Sequence, residues 1–538
     1  MTDQHFDLLT QPWIRVRGPD GVRELSVREV FTCAHDLDAL AGELPTQDVA
    51  ILRVLLAILH RSVAELPGYA KDVWRGLWEA PQLPMALIGG YLDGVADRFD
   101  LFDERAPFFQ VAGLAANKTS GLLKLVADVP DGHPYFTTRA DAELDSVSFA
   151  EAARWVVHCQ AFDPSGIKTG VTGDPRVKGG KGYPIGTGWA GRCGLVVLEG
   201  RTLKETLLLN LVLGTRDGDA EPDLPVWERR PLGPGVERRH PEPLGPADIM
   251  TWPVRRLLLH RENGRVVDVL LGNGDPIHAR NRQNVETMSA WRYSDNQSKQ
   301  HGDTYMPRGH DPNRRLWRGL SGILIQSVQG GSVQNKARPL LPPTALVWLA
   351  TLTPGIVDPA HPIRLRAIGM TYGTQDASIE AIYDDALSMR VAVTSDPVLQ
   401  AVVRDAAETA ELAVRQLGHL AQNLASAAGR EGYGPRDRAH EDAFMLLDER
   451  FLRWVGRLGP ASHPEEETAS WQREVRSLLL PIGEELVNQA GQVAWMGRDV
   501  RGHYLDSALA WRWFRTGLIK VLPAALPPSL EHPKEQTA

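Results

Sequence analysis

The chain has 538 residues, with 59 lysines and arginines against 67 aspartates and glutamates, and its formal net charge is −8. Hydrophobic residues make up 43% and charged residues 23%, as in ordinary globular proteins. This composition excludes a disordered chain, a collagen-like repeat and a generally basic nucleic-acid coat, although local nucleic-acid contacts remain compatible with it. The length allows a large core and predicts two or more domains.

The cysteine pattern and the apolar stretches indicate the cellular compartment of the protein. Cys33, Cys159 and Cys193 are far apart and form no CxxC pair, which argues against a thiolate zinc site and is typical of reduced cytosolic thiols. The first residues contain no apolar signal segment, and the most apolar stretch, residues 49–59, is too short to span a bilayer. We therefore expect a soluble cytoplasmic protein.

The N-terminal part alternates short predicted strands and helices. Two strands are expected, at residues 6–9 and 13–17. The motif Ser26-Val-Arg-Glu29 is a capping box and predicts a helix that runs to about Leu40. The apolar stretch after Pro45 predicts a second helix that ends near Val63. Mixed short elements continue to about residue 390.

Two segments are predicted to be loops. Residues 164–194 contain ten glycines, and residues 222–246 contain seven prolines. Such compositions disfavour regular hydrogen-bonded ladders, and long loops in compact chains are often functional.

The pattern becomes helical after Ser395. Asp396-Pro397 is a good helix start, and residues 398–428 have helical apolar spacing. Three further helices are predicted at 439–458, 468–490 and 500–521. The sequence thus predicts an α+β fold in which a mixed domain, residues 1–393, precedes a four-helix bundle, residues 394–538.

Enzyme signatures are few. The sequence has no GxxxxGK[ST], HExxH or GxSxG motif, and Gly180-Lys-Gly182 lacks the third glycine of a GxGxxG fingerprint because residue 185 is Ile. His310-Asp311 is an adjacent pair of metal-ligating residue types, and His301 and Asp303 lie nearby. A metal-dependent hydrolase that acts on nucleic acid is therefore an alternative interpretation, although no further ligand motif supports it.

The segment 164–194 is locally basic. Glycines let a backbone approach a ligand closely, and neighbouring cations suit phosphates. A phosphate or nucleic-acid contact and a mobile basic surface loop both remain open interpretations. The segment contains one acid, Asp174, and five cations: Lys168, Arg176, Lys178, Lys181 and Arg192.

Two more segments are candidates for nucleic-acid contact. Residues 291–299 are polar and aromatic, and such side chains can stack on nucleotides, although a surface loop with one buried Trp is the simpler interpretation. Gln375 lies in a turn before a predicted helix, Ser378–Leu387. A glutamine at the tip of a turn can contact base edges in a groove, or it can simply be solvated.

These segments occur in an order that resembles the CasA family, the large subunit of the type I-E CRISPR surveillance complex, Cascade. Phe6–Arg17, with the sequence FDLLTQPWIRVR, resembles the family's N-terminal signature, and Pro107–Gln110 resembles its PFxQ element. Gly194–Asn210 resembles the segment after the family's glycine loop. Thr251–Arg255 and Leu316–Gly319 are also similar. The resemblance extends over essentially the whole chain.

The resemblance implies a DNA-recognition role without catalysis. Members of this family recognise the protospacer-adjacent motif of foreign double-stranded DNA, largely from the minor groove, and help to open the duplex for the guide RNA. They also offer a docking surface for the helicase–nuclease. The implied partners are the other Cascade subunits, the CRISPR guide RNA, the target DNA and that nuclease, and no metal or cofactor is implied.

The resemblance also assigns site residues. The family's glutamine wedge corresponds to Gln375, flanked by Thr374 and Asp376, and its guide-side loop includes Phe136. The glycine loop begins at Gly166 and includes Lys168 and Gly170. The lysine finger has two candidates, Arg292 and Lys299. A scaffold that only bridges other subunits remains a third interpretation.

Overall fold

The computed structural model describes residues 5–129, 144–214, 221–237, 242–324 and 340–526. The chain divides into two compact units. The first comprises Met1–Asn313, Gln329–Ile356 and Pro362–Ala386. The second comprises Arg314–Val328, Val357–His361 and Leu387–Ala538. Two segments that precede Leu387 in the chain, Arg314–Val328 and Val357–His361, therefore belong to the second unit. No single boundary along the sequence separates the two units.

The first unit contains both helices and strands, as predicted. In chain order its elements are β1 Ile14–Gly18, β2 Gly21–Leu25, α1 Val27–Cys33, β3 Ala39–Leu40, α2 Pro45–Val63, α3 Ala70–Glu79, α4 Met85–Gly94, α5 Phe149–Phe162, β4 Lys168–Thr169, β5 Lys181–Gly182, β6 Leu195–Glu199, α6 Leu203–Asn210, α7 Pro246–Met250, β7 Arg255–Glu262, β8 Arg265–Asn273, β9 Trp291–Tyr293, α8 Asp295–His301, β10 Tyr305–Pro307, α9 Thr344–Leu352 and β11 Pro362–Tyr372, followed by β12 Ile379–Arg390, which ends in the second unit.

The N-terminal predictions are partly confirmed. The capping box of α1 is present, because Ser26 and Glu29 accept each other's backbone N–H groups. The helix ends at Cys33, however, and Leu40 lies in β3, which pairs with β1. The strand predicted at residues 6–9 is wrong, because the Asp7 carboxylate accepts the backbone N–H of Leu9 and closes a turn there.

The helix predicted at Ser378–Leu387 is also wrong. Ile379, Tyr383 and Leu387 recur every four residues, which fits a helical face. The segment instead forms β12, in a three-stranded sheet of order β12-β11-β6. Arg366 and Asp384 form a bidentate ion pair between β11 and β12, with N–O distances of 2.7 and 2.8 Å. Pairing with the long neighbouring strand β11 in a hairpin therefore overrides the local periodicity.

The second unit is dominated by long helices. Its elements after β12 are α10 Val391–Ser395, α11 Pro397–Ala427, α12 Gly434–Arg457, α13 Pro464–Gln489, α14 Gly491–Met496, β13 Arg498–Val500, β14 His503–Leu505 and α15 Ser507–Val521. Helix α11 packs against α12, α13 and α15. Asp396 caps α11, as predicted, by accepting the N–H groups of Val398 and Leu399.

The start of the last long helix differs from the prediction. Helix α15 begins at Ser507, not at residue 500, and Asp506 caps it by accepting the N–H of Leu509. The residues before it form the hairpin β13–β14. Arg501 and Gly502 have φ values of 54° and 83° at its turn, a conformation that a helix cannot contain.

Candidate nucleic-acid interface

The predicted wedge lies at the tip of the β11–β12 hairpin. The hairpin closes through the N–H of Gly373, which donates to the carbonyl of Ser378 at 2.9 Å. The side chains of Thr374, Gln375 and Asp376 are exposed. Gln375 and Asp376 adopt left-handed φ values of 59° and 55°. Such backbone conformations cost about 1–3 kcal/mol for a non-glycine residue and often mark functional sites.

The start of the glycine loop meets this hairpin tip. Gly166 has a φ of 113°, and a Cβ placed on it would lie 3.8 Å from the Cβ of Ala377. Ala377 is the second residue after Gln375, so the two predicted elements share one side of the first unit. The structure therefore brings the start of the glycine loop next to the hairpin tip that carries Gln375.

Tyr372 joins the hairpin to both ends of the glycine loop. Its hydroxyl donates to the carbonyl of Phe162 at 2.6 Å. A Cβ on Gly191, near the other end of the loop, would lie 2.1 Å from the same hydroxyl oxygen, so only glycine fits there. Burial lowers the pKa of Arg192, and the Asp376 carboxylate at the hairpin tip opposes that shift.

Lys168 has a different environment from the one that the sequence indicates. Its ammonium lies 2.6 Å from the Asp163 carboxylate, and its side chain is almost fully buried. Arg255 also donates to Asp163 and reaches the carbonyls of Pro164 and Gly186 at 2.9 and 2.8 Å. Burial lowers the pKa of Lys168. In this arrangement Lys168 holds the base of the loop, and its charge does not face solvent.

Gly170 also has a role inside the loop. Its N–H donates to the carbonyl of Gly180 at 3.1 Å, beside the small hairpin β4–β5. A Cβ at residue 170 would lie 2.5 Å from the carbonyl carbon of Gly180. The close approach of these two backbones explains why glycine is needed at this position.

The remaining cations of the glycine loop divide into two groups. Arg176 binds the Asp174 carboxylate at 2.8 Å and donates to the carbonyl of Gly274, so it is a structural residue. Lys178 and Lys181 are exposed next to the tight turn between β4 and β5. These two lysines are therefore the loop cations that are positioned to reach a phosphate.

The two lysine-finger candidates lie elsewhere in the first unit. Arg292 is an exposed residue of β9, opposite Met306 of β10. Lys299 is exposed on α8, the short helix that connects these two strands. Phe136, the predicted guide-side contact, lies outside the described residues.

Two of the four residues of the hydrolase interpretation, Asp303 and His310, are engaged in other contacts. The His310 ring stacks on Tyr383 with centroids 4.9 Å apart, and its Nε2 lies 3.0 Å from the carbonyl oxygen of Leu195. Asp303 accepts the hydroxyl of Tyr293 at 3.1 Å. Across the described ranges, no group of three or more His, Cys, Asp or Glu side chains could hold a metal ion. This alternative gains no support.

Sequence reasoning missed a cavity beside the hairpin tip. It has a volume of about 230 Å³. Gly166, Lys168 and Ala377 contribute to its walls, together with five residues from the segment 123–129. Ile167 is 57% exposed at this place. The exposure of Ile167 and the positive φ of Gly166 are properties of the fold, so no signal in the sequence marked this cavity.

Comparison with known proteins identifies the family. A model of the family described as "CRISPR-associated protein Cse1" matches residues 7–482. The CRISPR-associated protein CasA/Cse1 of Thermus thermophilus is 30% identical over 447 residues, which cover 81% of this chain and 80% of that protein.

In the part of the chain that the structure describes, no helix has both the length and the hydropathy needed to cross a membrane.

Solved structures agree with this assignment. Cse1 of Thermobifida fusca is 41% identical to this chain and superposes with a TM-score of 0.87. The superposition covers 97% of this chain and 99% of that one. A chain of a solved CRISPR RNA-guided surveillance complex shares the fold, at 21% identity and a TM-score of 0.66, over 90% of this chain and 98% of that one. The chain therefore belongs to the CasA/Cse1 family of CRISPR-associated proteins.

Proposed function

We propose that this chain is the non-catalytic DNA-recognition subunit of a type I-E CRISPR RNA-guided complex. In this role it reads the protospacer-adjacent motif of invading double-stranded DNA mainly from the minor groove, promotes duplex opening and R-loop formation, and helps to recruit the helicase–nuclease. Family membership and the shared fold with a surveillance-complex chain support the proposal. The observation that carries it is the approach of Gly166 to Ala377 beside the exposed Gln375.

The physical basis is a small contact surface. The minor groove presents a degenerate pattern of donors and acceptors, so a few backbone and amide groups suffice for a permissive short motif. Insertion of a side chain beside a base pair costs a few kcal/mol of unstacking, which contacts to the deformed duplex offset. Base pairing with the guide then reads the remaining sequence, as in other RNA-guided systems. No catalytic group is needed.

The wedge assignment is tested with Gln375→Ala and Gln375→Gly in the assembled complex. Both variants remove the amide, so we expect each to weaken binding to a motif-bearing duplex by about tenfold or more. Glycine accepts the left-handed conformation at no steric cost, so Gln375→Gly should unfold at a temperature no lower than Gln375→Ala. Gel shift across duplexes with a randomised motif and thermal unfolding provide the measurements.

The controls separate the competing interpretations. Gln300→Ala removes an exposed amide from α8 and should leave motif binding unchanged. A duplex that is already open next to the motif should recover binding by both Gln375 variants. Wild-type binding by these variants in an intact complex would favour the scaffold interpretation. Cleavage of labelled DNA by the purified chain with Mg²⁺ or Mn²⁺ would favour the hydrolase.

A further inference from the structure

The last part of the second unit differs in charge from the rest of that unit. Residues 394–538 contain 16 lysines and arginines against 20 acids, and α13 alone contains six glutamates against two arginines. Residues 491–520, by contrast, contain five lysines and arginines against two aspartates. These residues comprise α14, the β13–β14 hairpin and most of α15. We call them the basic aromatic surface.

The two aspartates of this surface are engaged with the local backbone. Asp499 accepts the N–H of Gly502 at 2.8 Å in the hairpin turn. Asp506 accepts the N–H of Leu509 at 2.7 Å as the N-cap of α15. Among the described residues, no ion pair connects a carboxylate to Arg501, Arg512 or Arg515. In the part of the chain that the structure describes, these three guanidinium groups are therefore not held by a carboxylate.

Large aromatic side chains of the same segment are exposed. Trp495 of α14 is 71% exposed, Tyr504 of β14 is 60% exposed and Trp513 of α15 is 46% exposed. The Tyr504 hydroxyl donates to the carbonyl of Met496, which connects the hairpin to α14. Trp471, within the helical core of the same unit, is buried. Exposed aromatic groups of this size often mark interaction surfaces.

Helix α15 has two distinct faces. Ala510, Phe514 and Leu518 recur every four residues and are buried against the unit. Arg512, Arg515 and Ile519 are exposed on the other side, and Trp513 lies at their edge. The helix contains three cations and no acid. An exposed helix face that combines arginines with an aromatic ring suits a ligand with repeated negative charges and planar groups.

We propose that the basic aromatic surface binds single-stranded nucleic acid, with phosphates on Arg501, Arg512 and Arg515 and bases stacked on Trp495 and Trp513. Every base has a π-face, so this mode of binding needs no particular sequence. Arginines that are spread along a segment of this length suit a nucleic acid strand, which carries one negative charge on each phosphate. The proposal goes beyond motif recognition and does not depend on Gln375.

The test uses the isolated full-length chain and a labelled oligothymidylate of about 20 nucleotides, which has no motif and no guide. Fluorescence anisotropy at low salt measures the affinity. We expect the double variants Trp495→Ala/Trp513→Ala and Arg512→Gln/Arg515→Gln each to bind at least about tenfold more weakly. Wild-type tryptophan fluorescence should be quenched on binding, and the tryptophan variant should lose most of this quenching.

Matched controls come from α12, which carries exposed residues of the same kinds. Met445→Ala/Arg453→Gln removes an exposed apolar side chain and an exposed arginine there, and it should bind like the wild type. Gln375→Ala should also bind oligothymidylate normally, so failure of the wedge proposal and failure of this one are distinguishable. Unchanged affinity in both surface variants would overturn the inference. So would equal or tighter binding of polyglutamate, which would assign the surface to an acidic protein.

Discussion

Two residues show how far side-chain identity alone indicates a role. Lys168 belongs to a basic glycine-rich segment, yet its ammonium is buried against Asp163. Gln375 belongs to an ordinary polar turn, yet it adopts a left-handed conformation at an exposed tip. The left-handed backbone closes the hairpin turn and presents the Gln375 amide to solvent, whereas the Lys168 charge is already paired, so Gln375 is the stronger candidate for a ligand contact.

Buried His310 predicts a specific response to acid. Burial lowers its pKa to about 4 from the ordinary value of 6.5, so the folded state keeps the ring neutral. The stabilisation is fully present above pH 6.5 and is lost as the pH falls toward 4. We expect the stability advantage of wild type over non-titrating His310→Gln to shrink by about 2–3 kcal/mol between pH 7 and pH 4.5, as measured by urea unfolding.

Other titrating groups do not disturb this comparison. Burial raises the pKa of Asp48 to about 6, which favours folding as the pH falls, and it lowers the pKa of His158 to about 4. Both groups are present in wild type and variant, so their effects cancel in the difference. A constant stability gap across the pH range would show that His310 is not the group that titrates.

At the scale of elements, the candidate site depends on the attachment of the glycine loop to the β11–β12 hairpin. Phe162, at the end of α5, accepts the Tyr372 hydroxyl of β11, and Gly191 packs against the same hydroxyl. The base of the loop is held separately by Asp163, Lys168 and Arg255. The position of the loop is therefore built into the fold, not acquired from a ligand.

Coupling between Tyr372 and Gly191 tests this attachment. Tyr372→Phe should cost about 1 kcal/mol of the free energy of unfolding, because the Phe162 carbonyl loses its donor. Gly191→Ala should cost about 1–3 kcal/mol, because its Cβ would lie 2.1 Å from the Tyr372 oxygen. We expect the double variant to cost less than the sum in urea unfolding, because removal of the hydroxyl relieves the closest contact. Simple additivity would contradict the attachment.

The exposed lysines of the glycine loop make a prediction about salt. If Lys178 and Lys181 contact phosphates, Lys178→Gln/Lys181→Gln should weaken binding of the assembled complex to a motif-bearing duplex. The slope of log K against log salt should also fall in magnitude by about 0.9 for each contact that is lost. Lys71→Gln, on α3, is the matched control and should keep the wild-type slope. Equal slopes for all three proteins would remove the loop from the phosphate contacts.

At the scale of the whole molecule, the two units have separate compact cores. In the second unit, the Trp471 ring lies 5.2 Å from Phe451 and 5.3 Å from Trp454, and its N–H donates to the carbonyl of Ala406 at 2.9 Å. Aromatic packing therefore joins α11, α12 and α13 into one body. The basic aromatic surface that we propose for nucleic acid lies outside this core, on α14, the β13–β14 hairpin and α15.

The contrast between buried and exposed tryptophans is testable. Trp471→Ala should lower the free energy of unfolding by about 3–5 kcal/mol, because it leaves a large cavity. Trp513→Ala should change it by about 0.5 kcal/mol or less, because the ring is partly open to solvent. Loss of helical circular dichroism in urea measures both. Similar stabilities for the two variants would contradict this description of the core.

Prediction from the sequence succeeds where the determinants are local. Ser26 with Glu29 and Asp396 with Pro397 mark helix starts that the structure contains, because caps act within one turn. It fails at residues 378–387, where the four-residue spacing of apolar side chains is helical but the segment pairs as a strand. It also fails at residues 500–506, where a hairpin precedes the last long helix.

The sequence by itself therefore determined the α+β class, the helical C-terminal part, the glycine-rich loop and the family resemblance, because composition, caps and motifs are properties of neighbouring residues. Only the tertiary structure decided that Gly166 meets Ala377, that Lys168 is paired and that Lys178 and Lys181 are exposed. These facts depend on contacts between segments that are far apart in the chain. Such contacts form only when strand pairing and core packing bring those segments together.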